Sequence, residues 1–243
     1  MGYAQSYRPQ FFADVVGQDK SVKVLQNMLE EGEPGCAFIF SGNRGTGKTT
    51  VARIFAKAVN CAEGMNPEPC DVCPSCIRIK NGTSMDLVEL DAATNRGIDA
   101  IRELNNYVQY IPGGNYRIIL LDEAHMLTRE AFNALLKTLE EPPEHIIFIL
   151  ATTEKTRIPK TIESRCHVLP FGDLSPTDCM KVLAKIVKAE EIKIEKEALI
   201  SLARKTDGSA RDAINALEQL HFYKPNGIGI DDVESYLEDW NIE

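Results

Sequence analysis

Residues 37–49 read Ala-Phe-Ile-Phe-Ser-Gly-Asn-Arg-Gly-Thr-Gly-Lys-Thr. The apolar run 37–41 has the length of a buried strand, and a helical stretch follows the glycines to about Asn60. Residues 42–49 fit G-x-x-x-x-G-K-[ST] in full, between a strand and a helix as that motif requires. Glycines let successive backbone N–H groups turn inward around an anion, and the following helix N-terminus adds partial positive charge. The competing reading is a chance glycine-rich turn, and the flanking strand and helix argue against it. Lys48 is expected to neutralise the β and γ phosphates of a nucleotide, and the Thr49 hydroxyl to bind Mg²⁺. Gly42, Asn43, Arg44, Gly45, Thr46, Gly47 and Thr50 complete the expected phosphate contacts.

A second motif supplies the acids such a loop needs. Ile118-Ile119-Leu120-Leu121-Asp122-Glu123 is an apolar strand that delivers two carboxylates at its C-terminal end, where ligands bind in open α/β sheets. Asp122 is expected in the Mg²⁺ shell, and Glu123 is expected to orient and polarise an attacking water. The plainer alternative is that both merely cap the next segment. Intact Lys48, Asp122 and Glu123 favour a hydrolase over a nucleotide-gated structural subunit without turnover.

Further strand-like runs fall at 86–90, 146–151 and 166–170. Between them Ile98, Ile101, Leu104 and Val108 share one helical face, and Phe132, Leu135, Leu136 and Leu139 share another. Strands alternating with helices imply an α/β fold with a parallel five-stranded sheet covered on both faces. Continuous apolar runs predict strands buried on both sides. After Phe171-Gly172 the pattern becomes helical only: Ser175 suits an N-cap, Pro176 the first helical position and Asp178 the first turn. Helices are expected over 196–205 and from Ser209. The division expected is 1–172 for the α/β domain and 173–243 for a small all-α domain.

The 243 residues carry a net charge of −9, with 44% hydrophobic and 26% charged residues. This is an ordinary globular composition, and the acidity requires any nucleic-acid contact to be local or shared with partners. No apolar run approaches the ~20 residues needed to span a bilayer, so no membrane association and a cytoplasmic location are expected. Of seven cysteines, Cys61, Cys70, Cys73 and Cys76 fall in one stretch rich in prolines. Two-residue spacings let a tight turn present two sulfurs to one ion, so these four are the expected ligands of a structural Zn²⁺. An iron–sulfur cluster and a disulfide pair are the chemical competitors. A site closed by four protein ligands implies no metal catalysis.

Taken together, the motifs resemble the AAA+ ATPase family, specifically its clamp-loader branch. The resemblance rests on Tyr-Arg-Pro at 7–9, Val-Val-Gly-Gln at 15–18, the phosphate loop, the four-cysteine insert and Leu-Asp-Glu-Ala-His at 121–125. It continues through Ala-Thr-Thr at 151–153, Ser-Arg-Cys at 164–166 and Gly-Ser-Ala-Arg-Asp-Ala at 208–213. It implies an AAA+ P-loop domain with a zinc-binding insert and a helical lid, using ATP, Mg²⁺ and Zn²⁺. It also implies roles that spacing does not supply. Thr153, or its neighbour Thr152, would read the γ-phosphate. Arg211 would reach the nucleotide from the lid, and Arg165 would act as an arginine finger on a neighbouring subunit. Tyr7, Arg8, Pro9 and Val16 would form the adenine-binding edge. The plainer alternatives are a Thr153 that only ends a strand and arginines that pair with surface acids.

The implied function is ATP-driven loading of a sliding clamp onto primed DNA within the polymerase III assembly. The implied partners are delta and delta-prime subunits, further copies of this chain, the clamp and primed DNA. Such proteins carry a further C-terminal collar domain, so a chain ending at Glu243 is expected to be a monomeric fragment of low ATPase activity. The rival within the same superfamily is a helicase or branch-migration motor, against which the cysteine insert speaks.

Overall fold

The computed structural model describes residues 2–240, with side chains described through Leu237. In chain order its named elements are α1 (Tyr3–Ser6), α2 (Asp19–Glu30), β1 (Ala37–Ser41), α3 (Lys48–Val59), α4 (Pro74–Lys80), β2 (Leu87–Asp91), α5 (Ile98–Tyr107), β3 (Arg117–Asp122), α6 (Arg129–Glu140), β4 (Ile146–Thr152), α7 (Lys160–Glu163), β5 (His167–Pro170), α8 (Pro176–Ala189), α9 (Lys196–Lys205), α10 (Ala210–Tyr223) and α11 (Ile230–Trp240). Short 3₁₀ turns lie at Phe12–Asp14, Ala124–Met126 and Lys155–Arg157. The chain divides into a sheet unit, residues 9–42 and 48–171, and a helical unit, residues 2–8, 43–47 and 172–240.

The sheet unit contains five parallel strands in the order β2-β3-β4-β1-β5. Successive side chains on a strand point to opposite faces, and both faces of the central strands are covered. Phe38, Phe40, Ile118, Leu120, Ile147 and Ile149 meet Leu25 and Leu29 of α2 and Val51, Ile54 and Phe55 of α3. On the other face Ile39, Ile119, Leu121, Phe148 and Leu150 meet Ile101 and Leu104 of α5 and Phe132, Leu135 and Leu139 of α6. This double burial is why β1, β3 and β4 read as unbroken apolar runs.

The edge strands depart from that expectation. β2 and β5 each pair on one side only, and both leave residues half-exposed or exposed, among them Leu90 and His167. An edge strand has a free rim, so an apolar run there does not imply full burial. The strand expected over 86–90 runs one residue later, Leu87–Asp91.

In the helical unit α8 to α11 pack around Leu183, Ile186, Leu202, Leu217, Leu220, Val233 and Leu237. The side chain of Ser175 accepts from the N–H of Asp178, and that of Ser209 from the N–H of Asp212, so both expected N-caps form. The reading of helices alone after residue 172 misses one feature: Ile194 and Ile228 form an isolated parallel bridge. α1 joins this unit through the N–H of Tyr3, which donates to Glu218 Oε2 at 3.1 Å.

Candidate nucleotide site and metal centre

Within the sheet unit the C-terminal ends of β1, β3 and β4 lie side by side, with Ser41 in register with Thr152 and Leu121 with Leu150. Gly42 continues β1 against Phe171, and a Cβ there would stand 2.0 Å from the Phe171 carbonyl oxygen, so only glycine fits. Lys48 opens α3 and is buried, its Nζ donating to the Gly42 carbonyl at 2.8 Å. An ammonium folded back on the loop backbone is within the reach of an anion held by the same loop. Thr50 is half-buried one residue beyond Thr49.

The acids converge on the same helix. Thr49 Oγ1 donates to Asp122 Oδ2 at 3.3 Å, and the N–H of Glu123 donates to Asp122 Oδ1 at 3.0 Å. A hydroxyl and a carboxylate at that spacing are hard oxygen donors suited to Mg²⁺, which takes one or two protein oxygens and completes its shell with water and phosphate. Glu123 has a left-handed backbone, φ 47°, a conformation that costs a non-glycine residue about 1–3 kcal/mol and clusters at functional sites. Its Oε2 accepts from Thr153 Oγ1 at 3.1 Å.

The neighbouring Thr152 serves a different group: its Oγ1 lies 3.1 Å from His125 Nδ1 and accepts from the N–H of Glu154. His125 sits between two acids, 3.5 Å from Glu123 and 3.4 Å from Glu154. Its place two residues after Glu123 brings its ring within reach of that acid.

Within the helical unit lie the loop residues 43–47. Asn43 Nδ2 donates to both carboxylate oxygens of Asp173, at 2.9 and 3.0 Å, and Thr46 Oγ1 donates to the Asn43 carbonyl at 2.9 Å. Arg44 is exposed. Gly45 and Gly47 have φ of 78° and 100°, which glycine alone adopts freely. A Cβ on Gly45 would meet Ser209 Oγ and the Cβ of Arg211, so the loop packs on the first turn of α10, with Arg211 exposed beside it. The Tyr7 hydroxyl donates to Glu190 at 2.5 Å, and that bond pushes the phenol up to about 12. Arg8 belongs to the helical unit, and Pro9 and Val16 to the sheet unit, all three half-buried.

Arg165 is not drawn into the group around Asp122. Its guanidinium bonds to Glu140 at 2.6 Å, the Thr161 carbonyl at 2.6 Å and Ser164 Oγ at 3.3 Å.

The four expected cysteines do come together: the sulfurs of Cys61, Cys70, Cys73 and Cys76 all lie within 4.8 Å of one another. Zn–S bonds of about 2.3 Å in a tetrahedron place sulfurs roughly 3.8 Å apart, so this donor set fits zinc. All seven cysteines are free thiols. Backbone N–H groups of Ala62 and Cys76 point at the Cys73 sulfur, each at 3.5 Å. Burial works against ionising Cys73, but these bonds outweigh it and hold the thiol down to about 6. Burial, and then the bond with Cys73, push Cys76 up.

A model of the family described as DNA polymerase III, delta subunit matches residues 17–175, and one for the DNA polymerase III clamp loader subunit ATPase lid domain matches residues 179–220. The chain belongs to the DNA polymerase III clamp-loader family. It is 47% identical over 227 residues to DNA polymerase III subunit tau of Bacillus subtilis, covering 93% of this chain and 40% of that one. It is 46% identical to subunit tau of Escherichia coli, covering 89% and 34%. With subunit gamma of Buchnera aphidicola subsp. Baizongia pistaciae it shares 44%, covering 89% and 59%. This clamp-loader chain thus spans between a third and three fifths of those relatives. Among solved structures it resembles the Thermotoga maritima RuvB Holliday junction branch migration motor, with TM-score 0.70 and 18% identity over 98% of this chain and 74% of that one. That likeness shows a shared AAA+ ATPase fold. Among the described residues no helix is long and apolar enough to cross a membrane.

Proposed function

We propose that this chain is the ATP-hydrolysing motor core of a DNA polymerase III clamp loader. What supports the reading is the linked set Thr49–Asp122–Glu123–Thr153 at the ends of β3 and β4, in a chain whose residues 42–49 carry the complete phosphate-loop motif. A passive nucleotide binder needs the loop alone. The aligned acids add what hydrolysis needs.

In this reading residues 42–49, with Thr50, bind the phosphates, and Lys48 leaves the Gly42 carbonyl to meet their charge. Thr49 and Asp122 hold Mg²⁺, which neutralises charge developing on the phosphate oxygens. Glu123 orients the attacking water and takes up its proton, and Thr153 senses the γ-phosphate through its hydroxyl. Arg211 engages the phosphates from α10. Tyr7, Arg8, Pro9 and Val16 form the adenine edge. Arg165 acts in trans on the ATP of a neighbouring subunit. Residues 1–172 make the AAA+ domain and 173–243 the lid. Cys61, Cys70, Cys73 and Cys76 hold one structural Zn²⁺, to be found as one equivalent of zinc in purified protein.

The assembly comprises delta and delta-prime subunits and further copies of this chain, acting on a sliding clamp and primed DNA in the cytoplasm. ATP binding orders the subunits around the clamp, and primed DNA triggers hydrolysis and release. The test is the ATPase rate of the full-length subunit with its loader partners, with and without clamp plus primed DNA. Joint stimulation that Lys48→Ala abolishes supports the reading. Stimulation by duplex DNA without any clamp would move the assignment to a translocating motor.

A further inference from the structure

The cysteine insert does more than close on itself. Lys57, near the end of α3, is 1% exposed. Its Nζ donates to the Gln10 carbonyl at 2.6 Å, to Gln10 Oε1 at 3.0 Å and to Asp71 Oδ1 at 2.7 Å. Asp71 lies between Cys70 and Cys73, has a left-handed backbone of φ 58°, and gives its second oxygen to Lys80 at 2.7 Å. Glu68, between Cys61 and Cys70, accepts from the N–H groups of Phe12 and Ala13 at 2.8 and 2.9 Å and from Gln26 Nε2 at 3.2 Å. Glu68 therefore grips Phe12 and Ala13 directly from outside, and Asp71 holds Gln10 through the Lys57 ammonium. Phe12, 2% exposed, fills the core against Val51, Ile54 and Phe55 of α3 from inside.

The central strands are covered mainly by α2 and α3 on one face and α5 and α6 on the other. What the insert fixes is the chain between Pro9 and Val16, laid along the helix that begins with Lys48 and Thr49. We propose that the metal insert is a clasp that sets nucleotide affinity: Glu68 and Asp71 are positioning residues that hold residues 10–13, and hence Pro9 and Val16, in the binding-competent place. The inference rests on the nucleotide reading above. Zinc on the four sulfurs fixes the backbone that carries both acids, so metal loss releases the same segment. A binding site that is competent only while the segment is docked shows an apparent Kd raised by the inverse of the docked fraction. Turnover at saturating ATP is untouched, because neither acid is placed near Asp122 or Glu123.

The test uses the full-length protein. Glu68→Ala is expected to speed amide hydrogen exchange over residues 10–14 while β1 and α3 stay protected. It should also raise the Kd of a fluorescent ATP analogue about tenfold with kcat unchanged, the effect of displacing the docked state in most molecules. Glu68→Gln, which keeps an acceptor oxygen for Phe12, should fall between Glu68→Ala and the wild type, and serves if Glu68→Ala does not fold. Stripping the metal should speed exchange over the same residues. Unchanged exchange, or faster exchange with an unchanged Kd, overturns the clasp. A wild-type protein that binds no ATP would instead overturn the nucleotide reading.

Discussion

Thr153 Oγ1 donates to Glu123 Oε2 at 3.1 Å, joining the end of β4 to the acid that follows β3. Glu123 is also held by its left-handed backbone and flanked by His125 at 3.5 Å. If Glu123 positions water, its substitution and that of Thr153 should separate cleanly. Glu123→Gln is expected to lower kcat by about 10²–10⁴-fold, the worth of a positioned general base. Thr153→Ala leaves the carboxylate in place but loosens it, and is expected to lower kcat by about 10- to 100-fold, as misplaced reacting groups do. Glu123→Gln should bind ATP as the wild type does, and Thr153→Ala, which loses the hydroxyl proposed to meet the γ-phosphate, should bind it more weakly. Single-turnover hydrolysis with a parallel binding titration reads both quantities, and an unchanged kcat in Thr153→Ala would make the contact incidental.

Gly45 carries a positive φ of 78°, and a Cβ there would stand 2.1 Å from Ser209 Oγ. Two separable costs follow for Gly45→Ala: backbone strain and a clash with the N-cap of α10. The variant is expected to lose about 1–3 kcal/mol, or about 2–4 °C of Tm per kcal/mol for a chain of this size. Ser209→Gly keeps an acceptable N-cap at a cost of a few tenths of a kcal/mol, so Gly45→Ala with Ser209→Gly should recover the stability lost to the clash but not that lost to backbone strain. A double variant no more stable than Gly45→Ala in calorimetry would show that the loop does not rest on α10.

How much of this was readable beforehand depended on how local the determinant is. Gly42–Thr49 and Asp122-Glu123 announce themselves because loop and acids are contiguous and each ends a strand, and the caps at Ser175 and Ser209 act over three residues. The edge character of β2 and β5 was not readable, because strand order is set by crossovers that leave no mark within a strand. Nor was the buried pair Lys57–Asp71: a lysine on an otherwise apolar helix face looks solvated until a partner fourteen residues on covers it. Arg165 shows the limit in the other direction. Its motif is conspicuous, but a role proposed on a neighbouring subunit would leave no geometry within one chain.

Cys166, beside that arginine, offers a chemical check on local packing. Burial, and then the nearby Cys36, push its thiol up to about 12, whereas Cys36 is exposed. At pH 8 Cys166 should stay a thiol and resist iodoacetamide in the native protein, with Cys36 alkylated first, since the thiolate is the nucleophile. An acid whose folded pKa is raised keeps its proton when the unfolded chain has lost it, so the fold binds more protons above the ordinary thiol pKa of about 8.5. This contribution is complete below that value and is lost as pH rises towards 12. Peptide mapping of the alkylated native protein decides it, and prompt labelling of Cys166 would contradict the burial.

Arg165 is held by Glu140 and the Thr161 carbonyl, both at 2.6 Å, with its side chain 35% exposed. A surface ion pair of that kind contributes about 0–1 kcal/mol, so a phosphate brought by a neighbouring subunit can displace Glu140 at little cost. A trans-acting guanidinium contributes about 10³–10⁵-fold to kcat. Arg165→Ala is therefore expected to leave ATP binding by its own chain unchanged and to reduce turnover of the assembled loader about 10³-fold. Glu140→Ala separates the two readings of the pair. If Arg165 serves only to bind Glu140, the two variants should have the same effect on turnover and on Tm. If Arg165 reaches across to another subunit, Glu140→Ala frees the guanidinium and turnover stays at or above the wild-type rate while that of Arg165→Ala collapses. Steady-state ATPase of the assembled complex with clamp and primed DNA, measured for both variants, distinguishes them, and equal losses would confine Arg165 to its own chain.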